Sequence, residues 1–559
     1  MRSALLVAAW LLTVFAPSCF GQQAIGGQAA PSSDTPSTGK WHASGSRGAV
    51  SAGGDEAVQI GLGVLEAGGN AADAAVATIL GLAVTDSNMF CFGGEFSLLI
   101  YDTAHDRVEV VMGQGAAPQL VTRELFARSG GIPGSGLRAA AVPAALDACV
   151  VVLQRYGTLR FADVAQPTIA LLARHRKVWH ADLARTLSRL VAAEKNASGD
   201  RSAALQAVSD YFYRGPLAEE IGDWCAAHDG LIRAADLAAH KTPIESPLSV
   251  EYRGHRVFKC GPGTQGPYLL EALQLLEGFD LKSMGSGSPD AIHVTVEAMK
   301  LALADRDVYY GDPAKVDVPI AQLLSPEYAA LRRPLIDMRH ASLEQRPGDP
   351  RTGKALLDRA AAERGLGNPN HDTTTCLVAD KHGNVIAATP SGWSGVLVEG
   401  TGVWLGSRLQ SFNTWAGHPN CIAPGKRPRI TLSPTLVTRD GKPVLAVSVA
   451  GGDGQDQTCL QMVIDHIDFG LSPRESVTAV RFGTDHLVGS FGQTPPELGS
   501  LTIYTKAGER TIADLKARGH KVKSRVPPLW VPSVLAIDPA SGQIDVAGDP
   551  QTGRHSAAY

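Results

Sequence analysis

The stretch His371–Thr389, HDTTTCLVADKHGNVIAAT, restricts what this chain can be more than any other. Three consecutive threonines lead into an apolar run, Cys376 to Ala379. A turn-forming segment follows, Asp380 to Asn384, and Val385 to Thr389 is apolar again. β-Branched runs on either side of a Gly/Asn/Asp turn predict a β-hairpin. Just upstream, Gly365 to Asn370 is rich in Gly, Asn and Pro and reads as a loop. Threonines where a loop meets a strand have two readings. They can be a Thr-rich edge strand, or the place where a chain is cut and its new end put to use.

Length and composition bound the surroundings. With 559 residues, 44% hydrophobic and 19% charged, the chain can bury a large core as several domains or one multilayer domain. A net charge of −4 with no basic run argues against a nucleic-acid partner. Residues 1–21 carry Arg2 and then an apolar run, Ala4 to Ala16, too short to span a bilayer. They read as a secretory signal cut near Gly21, which implies a periplasmic or secreted protein with no stable membrane anchor. Residues 22–46 begin with a Gly/Ser/Pro/Thr-rich stretch and read as a flexible linker. Eight cysteines are scattered without C-x-x-C or Cys/His ligand spacing. Buried thiols are expected rather than a disulfide framework, with no metal and no cofactor.

Several elements follow from local signals. Helices are expected at Asp55–Glu66, at Ala71–Val84 with Asn70 as its cap, and at Pro143–Tyr156, ending at Gly157. Others fit Phe161–Arg176, Leu217–His228, Thr458–Ile467 and Ile512–Arg518. Ser288 and Pro289 start a long amphipathic helix with Ile292, Val296, Met299 and Leu303 on one face. A helix is also expected around Lys354–Glu363. Gly261–Gly266 matches G-x-G-x-x-G, but Pro262 and the missing βαβ series favour a tight turn over a dinucleotide site. After Thr373 strands dominate: Thr374–Ala379, Val385–Thr389, Thr435–Thr438, Val444–Val449 and Leu501–Tyr504.

Short stretches in one order complete the picture. They are Leu65–Ala75, Glu251–His255, Leu276–Asp280, Ala304–Asp312, Gly425–Pro428, Leu432–Thr435 and, most specifically, Asp372–Asn384. Together, over Arg47 to Tyr559, the sequence resembles the γ-glutamyltranspeptidase family of N-terminal-nucleophile hydrolases. The resemblance implies an α+β fold, a four-layer αββα sandwich made as one precursor. It implies self-cleavage between Asp372 and Thr373, giving a large part (47–372) and a small catalytic part (373–559) that stay paired. It makes Thr373 the nucleophile, Ser391 the hydroxyl beside it, and Gly451 and Gly452 the oxyanion-hole pair.

A threonine hydroxyl is a weak nucleophile until a base takes its proton. The free α-amine of an N-terminal Thr373, with a pKa near about 8, can do so directly or through water. Glycines let backbone N–H groups converge on a developing oxyanion. The positions that would hold an amino-acid head group depart from the family. They are Gln114 for an arginine, Ser411 for an acid, Arg408 for an amide and Trp393 for an asparagine. Of a serine pair, Ile430 and Thr431 remain, and only Thr431 keeps a hydroxyl. An ammonium without its acid and a carboxylate without its arginine bind poorly. Arg408 offers a replacement charge for an anionic acyl group and Trp393 an apolar wall. The leading expectation is a self-processing amide hydrolase or acyltransferase with a non-standard acyl group on a small amide or peptide-like substrate. The alternatives are a genuine γ-glutamyl enzyme, and an unprocessed binding protein on the same scaffold.

Overall fold

A computed structural model describes residues 40–174, 177–357 and 372–559. The signal segment, most of the linker, the loop Gly365–Asn370 and His371 lie outside the described residues. So does the expected helix beyond Leu357; Lys354 itself pairs with Asp349 in an isolated bridge.

Two seven-stranded sheets organise the chain. One runs Arg554–Ala558, Gly48–Gly53, Cys376–Asp380, Val385–Ser391, Glu95–Asp102, Arg107–Gly113, Ile244–Glu245. The other runs His42–Gly45, Ile544–Gly548, Val531–Ile537, Lys442–Ala450, Thr435–Arg439, His255–Lys259, Leu248–Tyr252. Every pairing within them is antiparallel.

Side-chain alternation shows how the sheets stack. Leu377, Ala379, Val385, Ala387, Leu99 and Val110 of the first sheet share one core with Leu436, Ala446, Leu535 and Val546 of the second. Their neighbours Val378, Ile386, Ala388, Leu98 and Val111 face the other way, onto helices such as Asp55–Glu66, Ala71–Thr85 and Ala145–Tyr156. On the second sheet Val437, Leu445, Val447 and Val534 likewise pack under Pro267–Leu276, Pro289–Tyr309 and Gly454–Ile467. Successive strand residues point to opposite faces, so a strand apolar at every position must be covered on both. The result is the expected order helix, sheet, sheet, helix.

The predicted hairpin forms, with Cys376 opposite Ala388 and Ala379 opposite Val385. Gly383 takes φ 86° in its turn. Asp380 ties the turn down: Oδ1 accepts from the backbone N–H of His382 (2.8 Å) and Asn384 (3.1 Å). Its Oδ2 accepts from Ala71 N–H at 2.8 Å, one of the unpaired donors at a helix start. Asn70 caps that helix in a capping box with Asp73.

Three expectations change. The threonine strand is not an edge: it is third of seven, between Gly48–Gly53 and Val385–Ser391. Residues 42–45, within the segment read as linker, form an edge strand paired with Ile544–Gly548. The helix Pro289–Tyr309 is buried on all sides from Ala291 to Arg306, not amphipathic. Its polar residues are matched internally: Glu297 by Lys300 (2.6 Å) and Arg346 (3.1 Å), Arg306 by Asp307 and Asp453 (both 2.7 Å). Six of the seven described cysteines are buried and Cys421 is half-buried; all seven are free. No helix among the described residues is long and apolar enough to cross a membrane.

Candidate active site

Thr373 sits where the chain enters the centre of the first sheet. Thr374 N–H already bonds Pro390 O at 2.8 Å, extending the hairpin ladder upstream of Cys376. Asp372 and Thr373 are therefore fixed against the end of Val385–Ser391 and are buried, 3% and 4% exposed. The Thr373 hydroxyl lies against the carbonyl oxygen of Asp372. Ser391 Oγ is 3.4 Å from Thr373 Oγ1 and donates to that same carbonyl. The hydroxyls of Thr373 and Ser391 and the carbonyl of Asp372, all singled out in sequence, come together.

The Asp372 carboxylate takes the backbone N–H of Trp393 on Oδ2. Burial nevertheless pushes its pKa up to about 6, against the lowering influence of the Arg408 guanidinium and the Trp393 N–H.

Strand Lys442–Ala450 delivers Gly451 and Gly452, with φ of 137° and 60°, to the start of helix Gly454–Ile467. A Cβ on Gly451 would stand 2.6 Å from Trp530 Cδ1, so only glycine fits. No contact joins either N–H to the Asp372 carbonyl among the described residues. The Gly452 N–H instead meets Gln455. With its amide set by its surroundings, Gln455 Oε1 accepts from Gly452 N–H and Thr373 Oγ1, both at 3.1 Å. Its nitrogen donates to Thr431 O (3.2 Å) and Val449 O (3.1 Å). Sequence reasoning missed Gln455. The available signal was its place in the first turn of a helix that follows a glycine loop.

The residues at the altered head-group positions are placed less uniformly. Gln114 is buried, donating to Pro428 O, with Oε1 unpartnered. The buried Ser411 hydroxyl is also unpartnered and faces a small chamber with Arg306, Asn413, His418 and Arg429. Thr431 meets the site through its carbonyl on Gln455. Trp393 is half-buried, its ring 4.3 Å from that of Trp404. Arg408 lies beside Ser391. It is 2% exposed, Nε is paired with Glu95, and Nη2 donates to Ser391 Oγ at 2.7 Å. Its guanidinium is thus paired with Glu95 inside the protein, while Nη1 has no hydrogen-bond partner.

A separate buried cluster, His293, Glu297 and His520, has ligand atoms within 4.8 Å of one another. The imidazoles face each other at 2.8 Å, and Glu297 already holds two cations, Lys300 and Arg346. A divalent cation there would meet two positive charges, so the cluster reads as a polar network.

Beside a cleft of about 430 Å³ lined by Gly451, Leu487, Phe491 and Trp530, the arrangement suits acyl transfer at a threonine. The gamma-glutamyltranspeptidase family model matches residues 57–194 and 172–559. The acylase ACY 1 proenzyme of Pseudomonas sp. (strain SE83) is 33% identical over 86% of this chain and 88% of its own length. The glutathione hydrolase proenzyme of Escherichia coli (strain K12) is 31% identical over 89% of each. The crystal structure of cephalosporin acylase from Bacillus halodurans superposes with a TM-score of 0.76 at 26% identity, covering 95% of this chain and 99% of that one.

Proposed function

The chain belongs to the gamma-glutamyltranspeptidase family, and from that premise we propose a self-cleaving precursor that becomes an amide hydrolase or acyltransferase with Thr373 as nucleophile. The observation that carries this is the Thr373 hydroxyl lying against the carbonyl of Asp372 in a buried, prearranged setting. In self-cleavage Thr373 Oγ adds to the Asp372 carbonyl carbon and the C–N bond breaks. The hydroxyl proton ends on the Thr373 nitrogen. Breaking the C–N bond has already freed the α-amine of Thr373; water then splits the resulting ester, giving back the Thr373 hydroxyl and leaving Asp372 with a C-terminal carboxylate. In turnover that amine is the base, the substrate's acyl group moves to Thr373 Oγ, and water or an amine takes it off. Gly451 and Gly452 are the proposed oxyanion donors for turnover, once Gln455 yields the Gly452 N–H.

The acyl group proposed is not a standard γ-glutamyl. Gln114 and Ser411 offer neither a cation for an α-carboxylate nor an anion for an α-amine. The names of the relatives fit either side of this choice, an acylase at 33% and a glutathione hydrolase at 31% identity, so the latter activity is the second reading. Residues 1–21 are the proposed export signal, placing the enzyme in the periplasm or medium.

Denaturing gel electrophoresis with N-terminal sequencing tests the precursor. Two bands are expected, the smaller beginning at Thr373, and Thr373→Ala should remain whole and inactive. A single full-length band from the unaltered chain would refute self-cleavage. Turnover of a γ-glutamyl anilide at rates ordinary for an efficient enzyme would refute the substrate argument.

A further inference from the structure

The Asp372 carbonyl is contacted by two hydroxyls and by neither glycine N–H, and one of those hydroxyls has its direction set from behind. A serine hydroxyl has one proton and can also accept. A guanidinium only donates. Arg408 Nη2, 2.7 Å from Ser391 Oγ, therefore obliges Ser391 to accept on that side. The proton of Ser391 must point elsewhere. Thr373 Oγ1 and Asp372 Oδ1 each lie at 3.4 Å, and the nearest acceptor is the Asp372 carbonyl oxygen.

Arg408 is itself clamped. Its Nε is paired with Glu95, and both side chains are more than nine-tenths buried. Glu95 stands directly opposite Ser391 in the paired strands Glu95–Asp102 and Val385–Ser391. One rung of the first sheet thus carries both the acid that fixes the arginine and the hydroxyl that the arginine turns.

We propose that Arg408, held by Glu95, is a positioning residue for self-cleavage: it makes Ser391 an obligate donor to the scissile Asp372 carbonyl. When Thr373 Oγ adds to that carbonyl, the electron pair of the C=O bond moves onto an oxygen already facing the Ser391 proton. Ser391 takes the oxyanion role in the precursor while Gly452 is engaged by Gln455. The assignment rests on the reading that the chain cleaves itself at Thr373.

The test is the first-order rate at which full-length protein converts into two bands. Arg408→Gln keeps a donor but adds an acceptor, so Ser391 is no longer forced to point at the carbonyl. Cleavage is expected to slow roughly a hundredfold, the scale of losing one oxyanion donor. Arg408→Lys, which also only donates, should recover most of the rate. Ser391→Ala should slow cleavage as much, and adding Arg408→Gln to it should slow it little further. Because Arg408→Gln leaves Glu95 without its cation, the pair Glu95→Gln/Arg408→Gln is run alongside as a neutral, similarly shaped control. It should be as slow as Arg408→Gln, while in the single-chain Thr373→Ala background its thermal unfolding stays near that of Thr373→Ala alone. Equal rates in Arg408→Gln and the unaltered chain would overturn the assignment, as would a full additional loss from Arg408→Gln on top of Ser391→Ala. An unaltered chain that stays whole would overturn the self-cleavage reading itself, whereas normal cleavage with no effect at Arg408 would overturn only this inference.

Discussion

Gly451→Ala puts the proposed oxyanion loop to a direct test. Two costs follow from the structure. The backbone at Gly451 has φ 137°, a region closed to L-residues except at about 1–3 kcal/mol. The new methyl would also lie 2.6 Å from Trp530 Cδ1 and 3.2 Å from its Cα, where carbon contacts settle at about 3.5–4.0 Å. Trp530 has little room to retreat, since its ring also fills the space over Gly454 and Gly483, where a Cβ would come within 1.8 and 2.3 Å of it. Relief by overpacking typically costs another 1–3 kcal/mol, so the loop moves instead. The same peptides carry the proposed donors, and losing one is worth about 3 kcal/mol, or roughly two orders of magnitude in rate. The expected result is kcat reduced about a hundredfold for the best amide substrate, with KM little changed. Gly452, at φ 60°, sits where other residues are tolerated at lower cost, so Gly452→Ala should lose less. A Gly451→Ala enzyme with kcat within about twofold of the unaltered one would refute the placement of this loop in the chemistry.

Asp465 is buried and bonded to Ser476 at 2.9 Å; burial pushes its pKa up to about 7 from 3.8, with Arg481 lowering it less. A raised folded pKa stabilises below the unfolded value and is lost as pH rises through the folded one, so stability from this group falls between about pH 4 and 7. In the single-chain Thr373→Ala background, Asp465→Asn should be more stable than its parent at pH 8 by a few kcal/mol and nearly equal to it at pH 4. A difference that does not change with pH in denaturant titrations would reject this. Lys259 and Asp456, both fully buried, tie the first turn after the glycine loop to Ser433 O and Thr435. Lys259→Met alone should cost about 3–5 kcal/mol, and Lys259→Met/Asp456→Leu much less, because only the single change strands a buried charge. Equal losses in chemical denaturation would argue against the pair.

Local chemistry is what the sequence by itself determined. The hairpin from Cys376 to Ser391, the Asn70 cap and the Ser288–Pro289 helix start each depend on residues a few positions apart. Such signals act on the chain before it folds and are legible in it. The expectations for Asp372 and Thr373 rest on one contiguous stretch and a family resemblance, and that for Ser391 on the resemblance. What the tertiary structure decided are the partnerships across long separations. Alternation alone could not say that the threonine strand lies third of seven, because an edge and a central strand share the same local pattern until a neighbour covers them. Nor could composition show that Arg408 meets Glu95, 313 positions away. A charged side chain reads as available until the structure shows what neutralises it, and burial at that distance is a property of the fold, not of the neighbouring residues.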